Sequence, residues 1–195
     1  MLRQKRLRLV SRSFRDVYRL LRASFPATEI LPFWRLRLNT IRSSVLLLAF
    51  YEEETFVGFV YLVNCDDGMY MPYLAVSDTC RSQGFGRKMM TQVKMIACEK
   101  PVVAIVEEPD EDACNSEQRR RRNAFFRRNG MRDTGIRTIE PDGLHCVIST
   151  DPDLAPDRVR RLILLLSGGL YRPTFACQDS DWTLHPEEMH ASGRR

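Results

Sequence analysis

Three apolar segments follow one another with only short polar links, and that succession limits the fold more than any other feature of the chain. They are "SVLLLAFY" (44–51), "FVGFVYLV" (56–63) and "MYMPYLAV" (69–76), joined by "EEET" and "NCDDG". Each is rich in β-branched, aromatic and aliphatic residues, and each link is long enough only for a reversal, so an antiparallel meander is predicted. The period then changes. "RSQGFG" (81–86) leads into a helix running to about Cys98, with Phe85, Met89, Val93 and Ile96 on one face.

Around this centre the other elements are read from spacing and caps. "KRLRLV" (5–10) is a short first strand, and "SFRDVYRLLRASF" (13–25) is a helix with Phe14, Val17, Leu20 and Leu21 on its inner stripe and Ser13 at the N-cap. A less regular helical piece spans 29–42. "PVVAIVE" (101–107) is a strand, and a helix to Asn129 closes at Gly130, a good C′ residue. Two strands surround "PDG" (141–143). A last helix over about 153–167 turns Val159, Leu162, Ile163 and Leu166 inward and ends at Gly168. The order β-α-α-βββ-α-β-α-β-β-α predicts an α+β fold with a mixed sheet and helices on both faces.

Composition sets bounds. A chain of 195 residues with 44% hydrophobic and 28% charged residues suits one domain with a real core, expected over residues 1–178, and a frayed polar tail over 179–195. No apolar run approaches the roughly 18–20 residues needed to cross a bilayer, and the basic N-terminus has no signal-type apolar stretch, so no membrane partner and a cytoplasmic location are expected. The six cysteines (65, 80, 98, 114, 146 and 177) form no C-x-x-C pair and histidines number only three, so reduced thiols and no metal are expected. A net charge of +5 hints at an anionic partner, although "EEPDED" (107–112) and "RRRR" (119–122) make the charge patchy.

"RSQGFG" admits more than one reading. It can be a plain connecting turn. It can also be a phosphate cradle, because a helix N-terminus carries unsatisfied N–H groups and a partial positive charge, and Gly84 and Gly86 let backbone approach a ligand. Arg81, Arg87 and Lys88 add cations where the helix dipole disfavours them unless an anion is present. Neither G-x-x-x-x-G-K-[ST] nor G-x-G-x-x-G is matched.

In context, a meander entering R-x-x-G-x-G and followed by helix, strand and helix resembles the GNAT superfamily of acyl-CoA-dependent N-acetyltransferases. "YLAVSDTCRSQGFGRKMM" (73–90) is similar to the family's acetyl-CoA loop, and "RRNAFFRRNGM" (121–131) to its second recurring motif. The resemblance covers about residues 5–150. "PFW", the stretch from "EEPDED" to "MRDTG", and "GGLYRP" look like a bacterial subfamily within it. It implies a mostly antiparallel sheet with a splayed strand pair that receives pantetheine. Leu74, Ala75 and Val76 would then offer backbone groups to the pantetheine arm, and Pro72 fits a strand that forgoes ladder bonding. Residues 81–88 (Arg81, Ser82, Gln83, Gly84, Phe85, Gly86, Arg87 and Lys88) would hold the diphosphate. An amide near 74–75 would polarise the thioester oxygen.

The implied reaction is attack of an amine on the acetyl thioester, which requires a proton acceptor. Glu107, ending the strand on the other wall of the cleft, is the first choice and Glu108 the second; burial is expected to raise the carboxyl's pKa. Phe126 stands where the family usually has a tyrosine that protonates the leaving thiolate, which leaves Tyr70, Tyr73 or water to do so, a slower enzyme, or none. Asn115 either caps its helix or bonds pantetheine, and one arginine of "RRRR" can reach the 3′-phosphate unless the run is a solvated face.

The leading expectation is an acetyl-CoA-dependent N-acetyltransferase acting on a primary amine of a small molecule or peptide, with acidic lips at "EEET" and "EEPDED" steering a cationic acceptor. An acyl-CoA-binding regulator with weakened or lost catalysis is the alternative. A nucleic-acid-binding module, prompted by charge alone, ranks third. Acceptor loops are expected at 24–44 and 108–118, and a homodimer through the last helix is possible.

Overall fold

A computed structural model describes residues 1–140, 143–167 and 174–176. The chain runs β1 (Leu2–Leu7), α1 (Phe14–Ser24), α2 (Phe33–Asn39), β2 (Val45–Glu52), β3 (Thr55–Cys65), β4 (Gly68–Val76), a 3-10 turn (Asp78–Cys80), α3 (Phe85–Ala97), β5 (Val102–Glu107), α4 (Ser116–Arg128), β6 (Arg132–Glu140), β7 (Gly143–Ser149), α5 (Pro156–Ser167) and β8 (Thr174–Ala176). One sheet holds all the strands in the order β1-β2-β3-β4-β5-β7-β6-β8. Among the described residues only β4 and β5 are parallel neighbours, because α3 carries the chain over between them.

The meander forms as the alternating burial demands. Leu46, Leu48, Phe50, Val57, Val60 and Leu62 point to one core, which α3 and Phe126 of α4 cover. Leu47, Ala49, Phe59, Tyr61 and Val63 point to the other, covered by α1, Leu36 of α2 and α5. Each large apolar side chain so buried stabilises the fold by roughly 1.5–3 kcal/mol. The inner stripes of α1 and α5 are those expected: Phe14, Val17, Leu20 and Leu21, then Val159, Leu162 and Ile163. Gly130 closes α4 with φ +81.

Some expectations are corrected. The first strand is Leu2–Leu7 and not 5–10, because Leu2 enters one core and Leu7 the other while Leu9 and Val10 stay exposed. Ser13 sits at the N-cap of α1, but its hydroxyl makes no capping bond. β8 was not foreseen; three residues, "TFA", pair antiparallel with Arg137–Ile139 of β6. The Leu166 side chain, Gly168, "GGLYRP", the Pro141–Asp142 turn and the tail 179–195 lie outside the described residues. Among the described residues no helix is long and apolar enough to cross a membrane.

Candidate active site

The sheet is interrupted where the sequence placed Pro72. β4 and β5 pair only at Met69↔Val102 and Tyr70↔Val103, then part. On the other side of β4 the register to β3 shifts, with Tyr61 opposite Tyr73 and Val63 opposite Tyr70, so Met71 and Pro72 form a bulge against Leu62. A proline cannot donate to a ladder, and a bulge turns the strand, so β4 leaves β5 at this point. Leu74, Ala75 and Val76 remain bonded to β3 and turn their other edge to the gap.

The gap opens into a cleft of about 1300 Å³. At its far end α3 begins. Gly84 is its N-cap with φ +78, a left-handed conformation that costs a residue with a Cβ roughly 1–2 kcal/mol. The first intrahelical bond runs from the Lys88 amide to the Gly84 carbonyl, which leaves the amides of Phe85, Gly86 and Arg87 ahead of the ladder. Gly86 is small for another reason. A Cβ there would stand 2.9 Å from Cε2 of Phe125, across the cleft on α4.

Leu74, Ala75, Val76, Arg81, Ser82, Gly84, Phe85, Gly86, Arg87, Glu107, Asn115 and Phe126 all line the cleft. Three expected residues do not. Gln83 donates its amide to the Thr79 carbonyl at 2.9 Å and braces the turn. Lys88 lies over the Phe85 ring, 4.9 Å from its centroid. Glu108 pairs with Arg137 and accepts from the Cys146 thiol at 2.9 Å, and burial, helped by this bond, pushes that thiol up to about 12.

Glu107 is buried, 6% exposed, and both its oxygens are engaged. The Asn115 amide donates to Oε1 at 2.9 Å, Arg119 lies 3.3 Å from the same oxygen, and Arg122 donates to Oε2. Burial pushes its pKa up, but the Asn115 hydrogen bond and the guanidinium groups of Arg122 and Arg119 outweigh it, so the carboxyl is held below the usual glutamate range. The expected rise is therefore reversed. Asn115 occupies the N-cap position of α4 without capping it, because its side chain bonds Glu107 and accepts from Arg119 instead. "RRRR" is split: Arg119 and Arg122 turn inward to Glu107, whereas Arg120 and Arg121 pair with Glu117, and Arg121 borders the cleft.

Neither alternative acid reaches the cleft. The Tyr73 hydroxyl donates to the Glu29 carbonyl at 2.6 Å and accepts from the Leu31 amide, and burial pushes its phenol up to about 12. Tyr70 is buried in the core between the sheet and α1 and α5 and does not line the cleft. Phe126 does, 5.2 Å from Phe125 in an edge-to-face pair. The acidic lip at "EEET" is also corrected. Glu52 bonds the N-terminal ammonium and Glu54 bonds Arg3, at the sheet edge, and none of Glu52–Glu54 lines the cleft. The lining is instead rich in cations: Arg81, Arg87, Arg121, Arg122 and Arg128. Ser24, Phe25 and Glu29, with Cys114–Gln118, form its rim where acceptor loops are expected.

His145 was missed. It lies opposite Glu107 in the β5–β7 register, is buried and lines the cleft, with Nδ1 3.2 Å from the Gly143 carbonyl. A carbonyl only accepts, so Nδ1 is the donor in that contact. An alternation of inward and outward residues in "LHCVIST" hints at its orientation, but only strand order puts β7 beside β5.

The residues present suit a coenzyme with a diphosphate and an extended amide-bearing arm. Free amides and arginines meet at one end of the cleft, and an open strand edge flanks its length. Residues 14–121 match the family model described as acetyltransferase (GNAT) family. No curated protein matches the chain by sequence. Solved structures share the fold. A GNAT-family protein from Bacteroides thetaiotaomicron has a TM-score of 0.70 at 20% identity, with 87% of this chain and 99% of that one covered. A GNAT family acetyltransferase from Elizabethkingia anophelis with acetyl-CoA bound has 0.55 at 14%, covering 77% and 97%. The ribosomal-protein-S18-alanine N-acetyltransferase from Escherichia coli has 0.55 at 15%, covering 76% and 92%.

Proposed function

The chain belongs to the acetyltransferase (GNAT) family, and from that premise we propose that it carries an acetyl group from acetyl-CoA to a primary amine of a small molecule or peptide. The observation that supports this best is the parting of β4 from β5 beside the uncapped start of α3. The amides of Phe85, Gly86 and Arg87, with the Arg81 and Arg87 guanidinium groups, bind the diphosphate. The free edge of Leu74–Val76 bonds the pantetheine arm, and an amide there polarises the thioester oxygen. The coenzyme supplies the activated acyl group; the chain positions it and moves protons.

An ammonium cannot attack, so the arriving amine must lose a proton. Glu107 is ionised, but three donors hold its oxygens, which makes it a weak base. Its role in this reading is to position Asn115 and Arg122 at the cleft wall. The proton passes to His145, which lines the cleft on the adjoining strand opposite Glu107. The thiolate leaves without an acid from α4, because Phe126 has no proton to give; a thiol pKa near ~8.5 makes that departure tolerable.

Release of free CoA thiol from acetyl-CoA across a panel of amines tests the reading. Turnover with at least one primary amine is expected, and His145→Ala should lower kcat by about 10²-fold or more at neutral pH with less loss at high pH, where free amine is abundant. Phe126 also supports a second reading, an acyl-CoA-binding regulator. Tight CoA binding with no thiol release from any amine would establish it instead.

A further inference from the structure

The cleft leaves one surface of the molecule unused. On α2 and the turn after it, Trp34, Leu38 and Ile41 recur at helical spacing and are 66%, 49% and 63% exposed. Val10 is 84% exposed and Leu9 is also on the surface. The two groups are neighbours, because Arg37 on α2 donates through Nε and Nη2 to the Leu9 carbonyl. Five large apolar side chains thus gather on one face, whereas single exposed apolar residues are ordinary.

The segment that carries them is strongly basic. Residues 1–42 contain eleven lysines and arginines but only two acids, Asp16 and Glu29; the remaining chain holds nineteen basic residues and twenty-three acidic ones. The net positive charge of the whole protein therefore comes from this segment. Arg8, Arg12 and Arg42 are exposed next to the apolar group. Glu29 belongs to the cleft rim, and Asp16 sits near Arg19.

We propose that this face rests on an anionic phospholipid surface, with Trp34, Leu38, Ile41 and Val10 at the headgroup boundary and Arg8, Arg12 and Arg42 against lipid phosphates. Indole and aliphatic side chains gain by leaving water for that boundary, and guanidinium groups bond phosphate in pairs. A nucleic acid would use the arginines and leave the apolar tips without benefit. A protein partner would be expected to meet mixed charges with mixed charges, whereas a predominantly basic segment matches a uniformly negative plane. The contact is peripheral, so it is compatible with helices too short and polar to cross a bilayer.

The full chain carrying Trp182→Phe leaves Trp34 as the single fluorescent indole. Mixed with vesicles of equal parts phosphatidylglycerol and phosphatidylcholine, it should co-sediment and shift its emission to the blue. Vesicles of phosphatidylcholine alone should give neither. Added salt should weaken the binding, and Arg8→Glu with Arg12→Glu should weaken it by roughly tenfold or more. Trp34→Ser with Ile41→Ser, read by sedimentation, should do the same while Tm stays as before. The proposal is overturned if anionic vesicles are not bound, if neutral ones are bound equally, or if both paired variants bind as the parent does. Salt-sensitive binding to duplex RNA without vesicle binding would replace the lipid by nucleic acid.

Discussion

The side-chain amide of Asn115 donates to Oε1 of Glu107 at 2.9 Å, joining the residue that opens α4 to the residue that ends β5. Arg119 and Arg122, one and two turns into α4, close on the same carboxylate. β5 has lost its β4 partner at this height, so this cluster ties one wall of the cleft to the helix that covers it.

Glu107→Gln should therefore cost stability first, on the order of 1–3 kcal/mol at pH 7. The folded carboxyl titrates below its ordinary value of 4.5, so its stabilisation is complete above that value and disappears as pH falls through the lowered one. The gap in Tm between parent and variant should be full at neutral pH and shrink in acid below about 4.5. Thermal denaturation of both proteins from neutral to acidic pH checks this, and a gap that does not depend on pH would rule it out.

Two glycines in one turn should fail differently. Gly84→Ala meets open space but keeps a left-handed φ, so it should lower stability by roughly 1–2 kcal/mol and weaken CoA only modestly. In Gly86→Ala the new methyl meets the Phe125 ring at 2.9 Å and pushes α3 from α4 at the mouth of the cleft. CoA affinity should fall by about tenfold or more. Isothermal titration of both variants distinguishes the two mechanisms; equal losses would contradict the assignment.

Cysteine reactivity should report occupancy. Cys98 and Cys114 are exposed, and of these two Cys114 alone lines the cleft, where Cys80 is buried; Cys146 is buried with its thiol pushed up to about 12. Alkylation followed by peptide mass spectrometry should label Cys98 and Cys114 quickly and Cys146 slowly. Added CoA should slow Cys114 and leave Cys98 unchanged. Protection of neither would place the coenzyme elsewhere.

Phe126→Tyr puts a proton donor where the cleft has a bare ring. If departure of the thiolate limits turnover, kcat should rise, by up to about 10²-fold. A parent rate that already equals the variant's would show that another step is limiting.

Much of the centre was legible before any coordinates. The meander, the order of helices and the turn at residues 81–86 follow from residue period and glycine placement, which act over a few residues. Pro72 fits the break in the sheet that the family resemblance implies, because a missing N–H is a local fact. Gln83 and Lys88 could not be separated from Arg81 and Arg87 in this way, since the direction a side chain takes in a turn depends on what lies across from it. Gln83 finds the Thr79 carbonyl and Lys88 the Phe85 ring.

The linear chain determined most of its elements and the glycine turn before α3, because each depends on backbone preferences of adjacent residues. Only the tertiary structure decided that β7 lies beside β5, bringing His145 opposite Glu107, and that α4 delivers two arginines to that carboxylate. Proximity between residues far apart in sequence sets electric field and desolvation. Those two quantities reverse the acid strength expected of Glu107, and neither is written in any short stretch of residues.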